Sequence, residues 1–319
     1  MRNLIFILIV LLCFSCKRSE FGFSNETKTS DTITNEAIMT IIDTLSSDSM
    51  QGRRFGTKGI EMAAVYIENF LKSNKIKPYF TSYRDSFVIG ESIGYNLIGL
   101  IEGNDETLKN EYILLSAHYD HIGILSGQKD SVYNGANDNA TGVSAVLNIA
   151  RQLALDKKCK RSVIVALFTG EEAGLLGSKE FTQKIKETGK NIYCQVNIDM
   201  IGSMLKGEPG KVYLSGYEKS NMADVMNRYV KNGAFIRSAK ADMMGVFSLS
   251  DNYPVYENLH IPAHTFCTFD FGNYKHYHKT SDEIQNIDMR NTGIIIRNIA
   301  KAVFGIANSA EREIKLTEE

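Results

Sequence analysis

Tyr112-Ile113-Leu114-Leu115-Ser116-Ala117-His118-Tyr119-Asp120-His121 decides the fold. Its first six residues are apolar apart from one small serine, the pattern of a strand covered on both faces. The run delivers His118 and Asp120 at its carboxyl end. Val163-Ile164-Val165-Ala166-Leu167-Phe168 repeats the pattern and is followed by Glu171-Glu172, and Val196-Asn197-Ile198 runs into Asp199. Three buried strands therefore end in residues of metal-ligand or acid–base type along one edge of one predicted sheet. In open parallel sheets the ligand crevice lies at that edge.

Around these strands the apolar residues recur at helical spacing. Ile38, Ile41, Ile42 and Leu45 mark a helix over 35–45, and Ile60, Ala63, Ala64, Ile67, Phe70 and Leu71 mark another within 56–74. The same reading predicts strands at 86–89, 95–101, 112–117, 162–168, 192–199, 211–214 and 261–266. It predicts helices at 141–155, 175–186, 220–231 and 290–310. Strands alternating with amphipathic helices indicate an α/β fold: a single domain with a mostly parallel mixed β-sheet flanked by helices on both faces. With 319 residues, 43% of them hydrophobic and 23% charged, the chain can bury one large core. A formal net charge of −1 offers no electrostatic footprint for nucleic acid.

The first residues read as an export signal. Met1-Arg2-Asn3 is basic, residues 4–14 are apolar, and Ser15-Cys16 follows. The apolar run is too short to anchor the chain across a bilayer. Cys16 after Ser15 resembles a bacterial lipobox. The expectation is an exported protein, lipid-anchored at Cys16 to a bacterial membrane, with plain secretion as the alternative. Residues 1–16 would be the signal, 17–33 a polar tether and 34–319 the functional domain. Cys159, Cys194 and Cys267 remain, an odd number that implies no complete disulfide framework.

Each polar segment has a bland reading and a chemical one. His118 offers an imidazole suited to zinc, or is a hydrogen-bonded structural histidine. Asp120, two residues on along a strand, lies on the same side and would orient that imidazole. Asp138, in the small polar stretch 134–142 that opens a helix, is either an N-cap or a carboxylate able to bridge two cations. Adjacent Glu171 and Glu172 cannot easily reach the same metal. They are a solvated pair, or one is a ligand and the other a general base. His278 sits in a polar stretch after the aromatic segment 269–274. His121, His260, His264 and His276 show no partner pattern and are expected in structural or rim roles. Phe269, Phe271 and Tyr274 are candidates to line an apolar pocket, and Met204, Met222, Met226, Met243 and Met244 read as core or rim residues.

Taken in order, the segments His118-Tyr119-Asp120, Gly135-Ala136-Asn137-Asp138-Asn139-Ala140-Thr141-Gly142, Glu171-Glu172-Ala173-Gly174-Leu175-Leu176-Gly177-Ser178, Asn197-Ile198-Asp199-Met200-Ile201-Gly202 and Tyr277-His278 resemble the di-zinc aminopeptidase family of metallopeptidase clan MH. Gly52-Arg53 resembles that family's N-terminal signature. The resemblance runs from about residue 43 to 310. It implies two Zn²⁺ per chain, one held by His118 and Asp199, the other by Glu172 and His278, with Asp138 bridging them. It implies that Glu171 is the general base towards a bridging water, that a cis peptide follows Asp138, and that peptides are the substrates. Glutaminyl cyclases share the scaffold and are the alternative, as is another metallo-exopeptidase. Cyclases of that type carry tryptophans around the pocket, whereas this chain has none and places Tyr277 before His278.

Overall fold

The computed structural model describes residues 32–127 and 130–318. The export signal and lipid-anchor site expected at residues 1–16, and most of the tether, lie outside the described residues. Thr32 and Ile33, expected in that tether, are packed onto the domain. The Thr32 backbone N–H donates to Gln152 Oε1 at 3.0 Å, and Ile33 is buried.

The elements in chain order are α1 (Asn35–Leu45), α2 (Lys58–Ser73), β1 (Lys77–Pro78), β2 (Arg84–Ile89), β3 (Ser92–Ile101), β4 (Tyr112–His118), β5 (Gly123–Ile124), β6 (Val132–Tyr133), α3 (Thr141–Asp156), β7 (Ser162–Phe168), α4 (Leu176–Thr188), β8 (Ile192–Ile198), β9 (Val212–Leu214), α5 (Met222–Val230), β10 (Phe235–Ile236), α6 (Ala239–Met243), α7 (Asn252–Leu259), β11 (Ala263–Cys267) and α8 (Met289–Asn308). The main sheet runs β1-β3-β7-β4-β8-β11-β9-β10, with β2 also on β3. Its heart, β7-β4-β8-β11, is parallel. The pairings of β3 and the β11–β9 pairing are antiparallel. The sheet is thus mixed around a parallel heart.

The two-residue side-chain period splits the core across the sheet. Ile113, Leu115 and Ala117 of β4, with Val163, Val165 and Leu167 of β7, face the core built with α1, α2, α3, α5 and α8. Leu114, Ile164, Ala166 and Phe168 face the other way, onto Phe181 and Ile185 of α4 and Val255 of α7. Covering both faces is what makes the central strands continuously apolar. At about 25 cal/mol per Å², each fully buried Leu or Ile adds roughly 1.5–3 kcal/mol of favourable burial. A polar residue in mid-strand would forfeit that, so polar chemistry is confined to the strand ends.

Predicted and observed elements differ mostly at their edges. Helix α7 was not expected. It has eight residues, carries Pro254 in its first turn and lacks a long apolar stripe. Cys159, Cys194 and Cys267 are free and buried. Met222 and Met226 are buried, while Met204, Met243 and Met244 are exposed.

Candidate metal centre and active site

Five segments, at the carboxyl ends of β4, β7 and β8 and before α3 and α8, meet at one point. His118 ends β4, and its Nε2 lies 3.4 Å from Asp138 Oδ1 and 3.4 Å from Asp199 Oδ1. His278 Nε2 lies 3.1 Å from Asp138 Oδ2 and 3.2 Å from Glu172 Oε2. The two oxygens of Asp138 therefore face two different histidines. Glu171 groups with His118 and Asp199, their ligand atoms all within 4.8 Å of one another. The structure brings together all six residues singled out as ligands or base, and the Asp138–Asn139 peptide is cis.

His121 departs from expectation. It is fully buried inside the cluster, with Nδ1 2.9 Å from Glu172 Oε1 and 3.7 Å from Asp138 Oδ2. Asp138, Glu172 and His121 form a second group of ligand atoms within 4.8 Å. His121 lies three residues past His118, off the strand, where no periodicity predicts its direction. The other histidines do take structural places. His264 sits between Ser220 Oγ at 2.6 Å and the Ser215 carbonyl at 2.8 Å. His276 Nδ1 lies 2.9 Å from Ser281 Oγ.

Neighbouring residues hold the cluster in register. Asp120 is buried, with its backbone oxygen 3.3 Å and Oδ1 3.7 Å from His118 Nδ1. Its carboxylate also accepts the backbone N–H of Glu171 and of Glu172 at 3.2 and 3.3 Å, so one side chain ties two strand ends together. Ser250 Oγ donates to Asp199 Oδ2 at 2.8 Å. Asp282, given no role from the sequence, accepts the backbone N–H groups of Asn137 and Asp138 at 2.8 and 3.0 Å. Tyr274, expected to line the pocket, instead donates to Asp282 Oδ1 at 2.6 Å. Asn139 Oδ1 accepts from Gly142 and Met200, and its Nδ2 donates to the Ile198 carbonyl, which locks the Asp138 loop to the end of β8.

Arg53 is a buried cation with no carboxylate in ion-pair contact among the described residues. Its guanidinium donates to the carbonyls of Tyr119, Leu45, Asn134 and Gly135 and so joins the loops carrying His121 and Asp138. Burial brings it down to about 10, and Asp138, Asp282, Asp120 and Glu172 pull the other way. Gly52 before it has φ +63°, and a Cβ there would lie 2.5 Å from the Gly123 carbonyl oxygen. The close approach of the 123–133 segment requires glycine.

The charges answer one another. Burial, then the charge of Glu172, pushes Asp138 up to about 6. Burial also drives Glu171 well above the usual carboxylate range, against the pull of His118. Glu172 is held far below that range: burial raises it, but His121 and His278 outweigh burial. Burial lowers His118, yet Glu171 and Asp199 bring it well above an ordinary histidine. Burial likewise opposes His278, which hydrogen bonds to Asp138 and Glu172 bring up to about 10. Burial pushes Asp251 up to about 7, against the pull of His118. Four carboxylates set against three imidazoles are oxygen and nitrogen donors of the kinds that bind zinc and other divalent metal ions. The buried His121 Nε2 has no hydrogen-bond partner among the described residues. The residues fit a cation centre.

A cavity of about 80 Å³ opens on Glu171 and is walled by Met200, Val246, Leu249, Phe269 and Phe271.

A model of peptidase family M28 matches residues 96–303. The chain belongs to peptidase family M28. Among relatives of this M28 chain, a probable zinc metalloprotease of Pyrenophora tritici-repentis is 33% identical over 116 residues, 36% of this chain and 25% of that protein. A probable leucine aminopeptidase of Arthroderma otae is 26% identical over 221 residues, 66% of this chain and 55% of that protein. The M28 chain spans about a fifth to a quarter of the length of the first curated relatives it matches. The LapA aminopeptidase of Legionella pneumophila shares its fold at TM-score 0.68 and 19% identity, over 93% of this chain and 78% of that one. The glutaminyl cyclase of Porphyromonas gingivalis does so at TM-score 0.67 and 17% identity, over 85% and 97%.

Proposed function

We propose that this M28 chain is a zinc-dependent aminopeptidase that removes N-terminal residues from peptides, with two zinc ions per chain. His118 and Asp199 would hold one ion, Glu172 and His278 the other, with Asp138 between them. What carries this is the pair of histidines on the two oxygens of Asp138, with Glu171 beside them at the mouth of a small apolar cavity. When bound, the ions would polarise the scissile carbonyl and stabilise the charge that develops on it.

The chain's own groups do the rest. Glu171, raised by burial, takes a proton from the attacking water and returns it to the leaving amine. Asp120 keeps His118 in one orientation, Ser250 does so for Asp199, and His121 for Glu172. The Phe269 and Phe271 wall excludes water from one side and takes an apolar side chain.

Glutaminyl cyclisation is the competing reaction on this fold. Tyr277 stacks on His278 at 3.8 Å between ring centroids, where the sequence resemblance places a cyclase's tryptophan. A panel of aminoacyl-arylamides and N-terminal Gln peptides separates the two. Release of arylamine is expected, and formation of pyroglutamate without hydrolysis would overturn the proposal. Export and a lipid anchor at Cys16 belong to the same proposal and rest on the sequence of residues 1–18; labelled fatty acid should enter the wild-type chain and not Cys16→Ser.

A further inference from the structure

A second, larger cavity of about 600 Å³ shares Glu172 and His278 with the first. Its remaining wall includes Arg54, Phe55 and Leu125, and it does not include Glu171. An exopeptidase divides its substrate unequally, one residue on one side of the scissile bond and the remainder on the other. The 80 Å³ apolar cavity suits the single side chain, so the larger one takes the leaving portion.

Arg54 is the lysine- or arginine-type cation of that larger cavity among the described residues, and its guanidinium has no ion pair or hydrogen bond there. The acids nearby are already engaged: Asp120 with the backbone of Glu171 and Glu172, and Glu172 with His121 and His278. Arg54 is exposed. It lies across Gly123, whose φ is +93°, and a Cβ on that glycine would fall 2.5 Å from Arg54 Cβ. An unpaired, exposed guanidinium on a cavity wall is a ready partner for a carboxylate, which it can grip with two parallel hydrogen bonds. A volume of about 600 Å³ has room for on the order of two residues, so the leaving portion of a di- or tripeptide fits within it and brings its C-terminal carboxylate there.

We propose that Arg54 binds a carboxylate on the leaving side of the substrate, the free C-terminus of a di- or tripeptide, and so selects short peptides. This rests on the aminopeptidase reading. The test uses the zinc-loaded full chain and matched di- and tripeptides, each as free acid and as C-terminal amide, with a third arm of amidated peptides carrying Glu in the leaving residue. For the wild type, kcat/KM should favour the free acids over the amides on the order of tenfold, mainly through KM. Arg54→Met should bring that ratio to about one, and Arg54→Lys should restore part of it, because it keeps the charge but not the fork.

A preference shown by the Glu amides but not by the free acids overturns the C-terminal assignment and places the carboxylate on a side chain. A wild-type ratio of one, or a ratio unchanged in Arg54→Met, overturns the Arg54 assignment and leaves the peptidase standing. A merely structural role would lower both arms together and leave the ratio intact, which also counts against it. Failure to cleave any peptide in any arm sinks the aminopeptidase reading itself and the Arg54 assignment with it.

Discussion

At the scale of single residues, Glu171 and Asp120 carry separable duties. Glu171→Gln keeps the shape of the side chain and removes its ability to accept a proton. Turnover should fall by about 10²–10⁴-fold while zinc content, measured by atomic absorption, stays at the wild-type level. Loss of metal with loss of rate would reassign Glu171 as a ligand. Asp120→Asn withdraws a charge that orients His118 and one of the two oxygens that accept the backbone N–H groups of Glu171 and Glu172. Its zinc affinity, read by competition with a chelator, should weaken about 10–100-fold; an unchanged affinity would mean that His118 is held by other means. His118, Glu171, Glu172 and Asp199 were legible because each ends or follows an apolar strand; Asp138 and His278 were assigned as ligands only through the family resemblance. His121, Asp282 and Arg53 were not assigned these places. A histidine three residues past a strand, an acid that accepts loop N–H groups and a guanidinium that holds carbonyls leave no periodic mark.

At the scale of elements, the parallel heart of the sheet matters most, because strand ends are where a covered strand can turn polar. The apolar runs of β4, β7 and β8 locate that edge without coordinates. The elements missed are short: helices α6 and α7 and the two-residue strands β1, β5, β6 and β10 are held by their neighbours rather than by their own pattern. β11 shows what an element's surroundings do to chemistry. Burial holds its His264 neutral down to about 4, against 6.5 for an ordinary histidine, with the Ser215 carbonyl pulling the other way. Between these values the unfolded chain takes up a proton that the fold refuses. Stability is therefore intact above about pH 6.5 and withdrawn as the pH falls toward 4, by roughly 3 kcal/mol in all. His264→Asn should flatten that part of a plot of urea midpoint against pH; a variant profile as steep as the wild type would show that other groups carry the acid sensitivity.

At the scale of the whole molecule, the acids gathered at one edge couple metal to folding. Ligands scattered from residue 118 to residue 278 converge only in the native state, so zinc binds the fold and not the unfolded chain. Free zinc at a hundred times Kd should add about 2.7 kcal/mol, several degrees in Tm for a domain of this size. Chelation should reverse the gain. Asp138→Asn should abolish it and Glu171→Gln should keep it; a Tm blind to zinc in the wild type would argue against a bound ion. The amino-acid order by itself determined the sheet heart, its helical cover and the polar residues His118, Glu171, Glu172 and Asp199 at its edge, because burial imposes a period on the residues between them. Only the tertiary structure decided which acid faces which histidine, that His121 enters the cluster, and that Arg54, which packs on Gly123, lines the second cavity. Those relations join loops distant in sequence, and loop side chains answer to contacts rather than to a repeat.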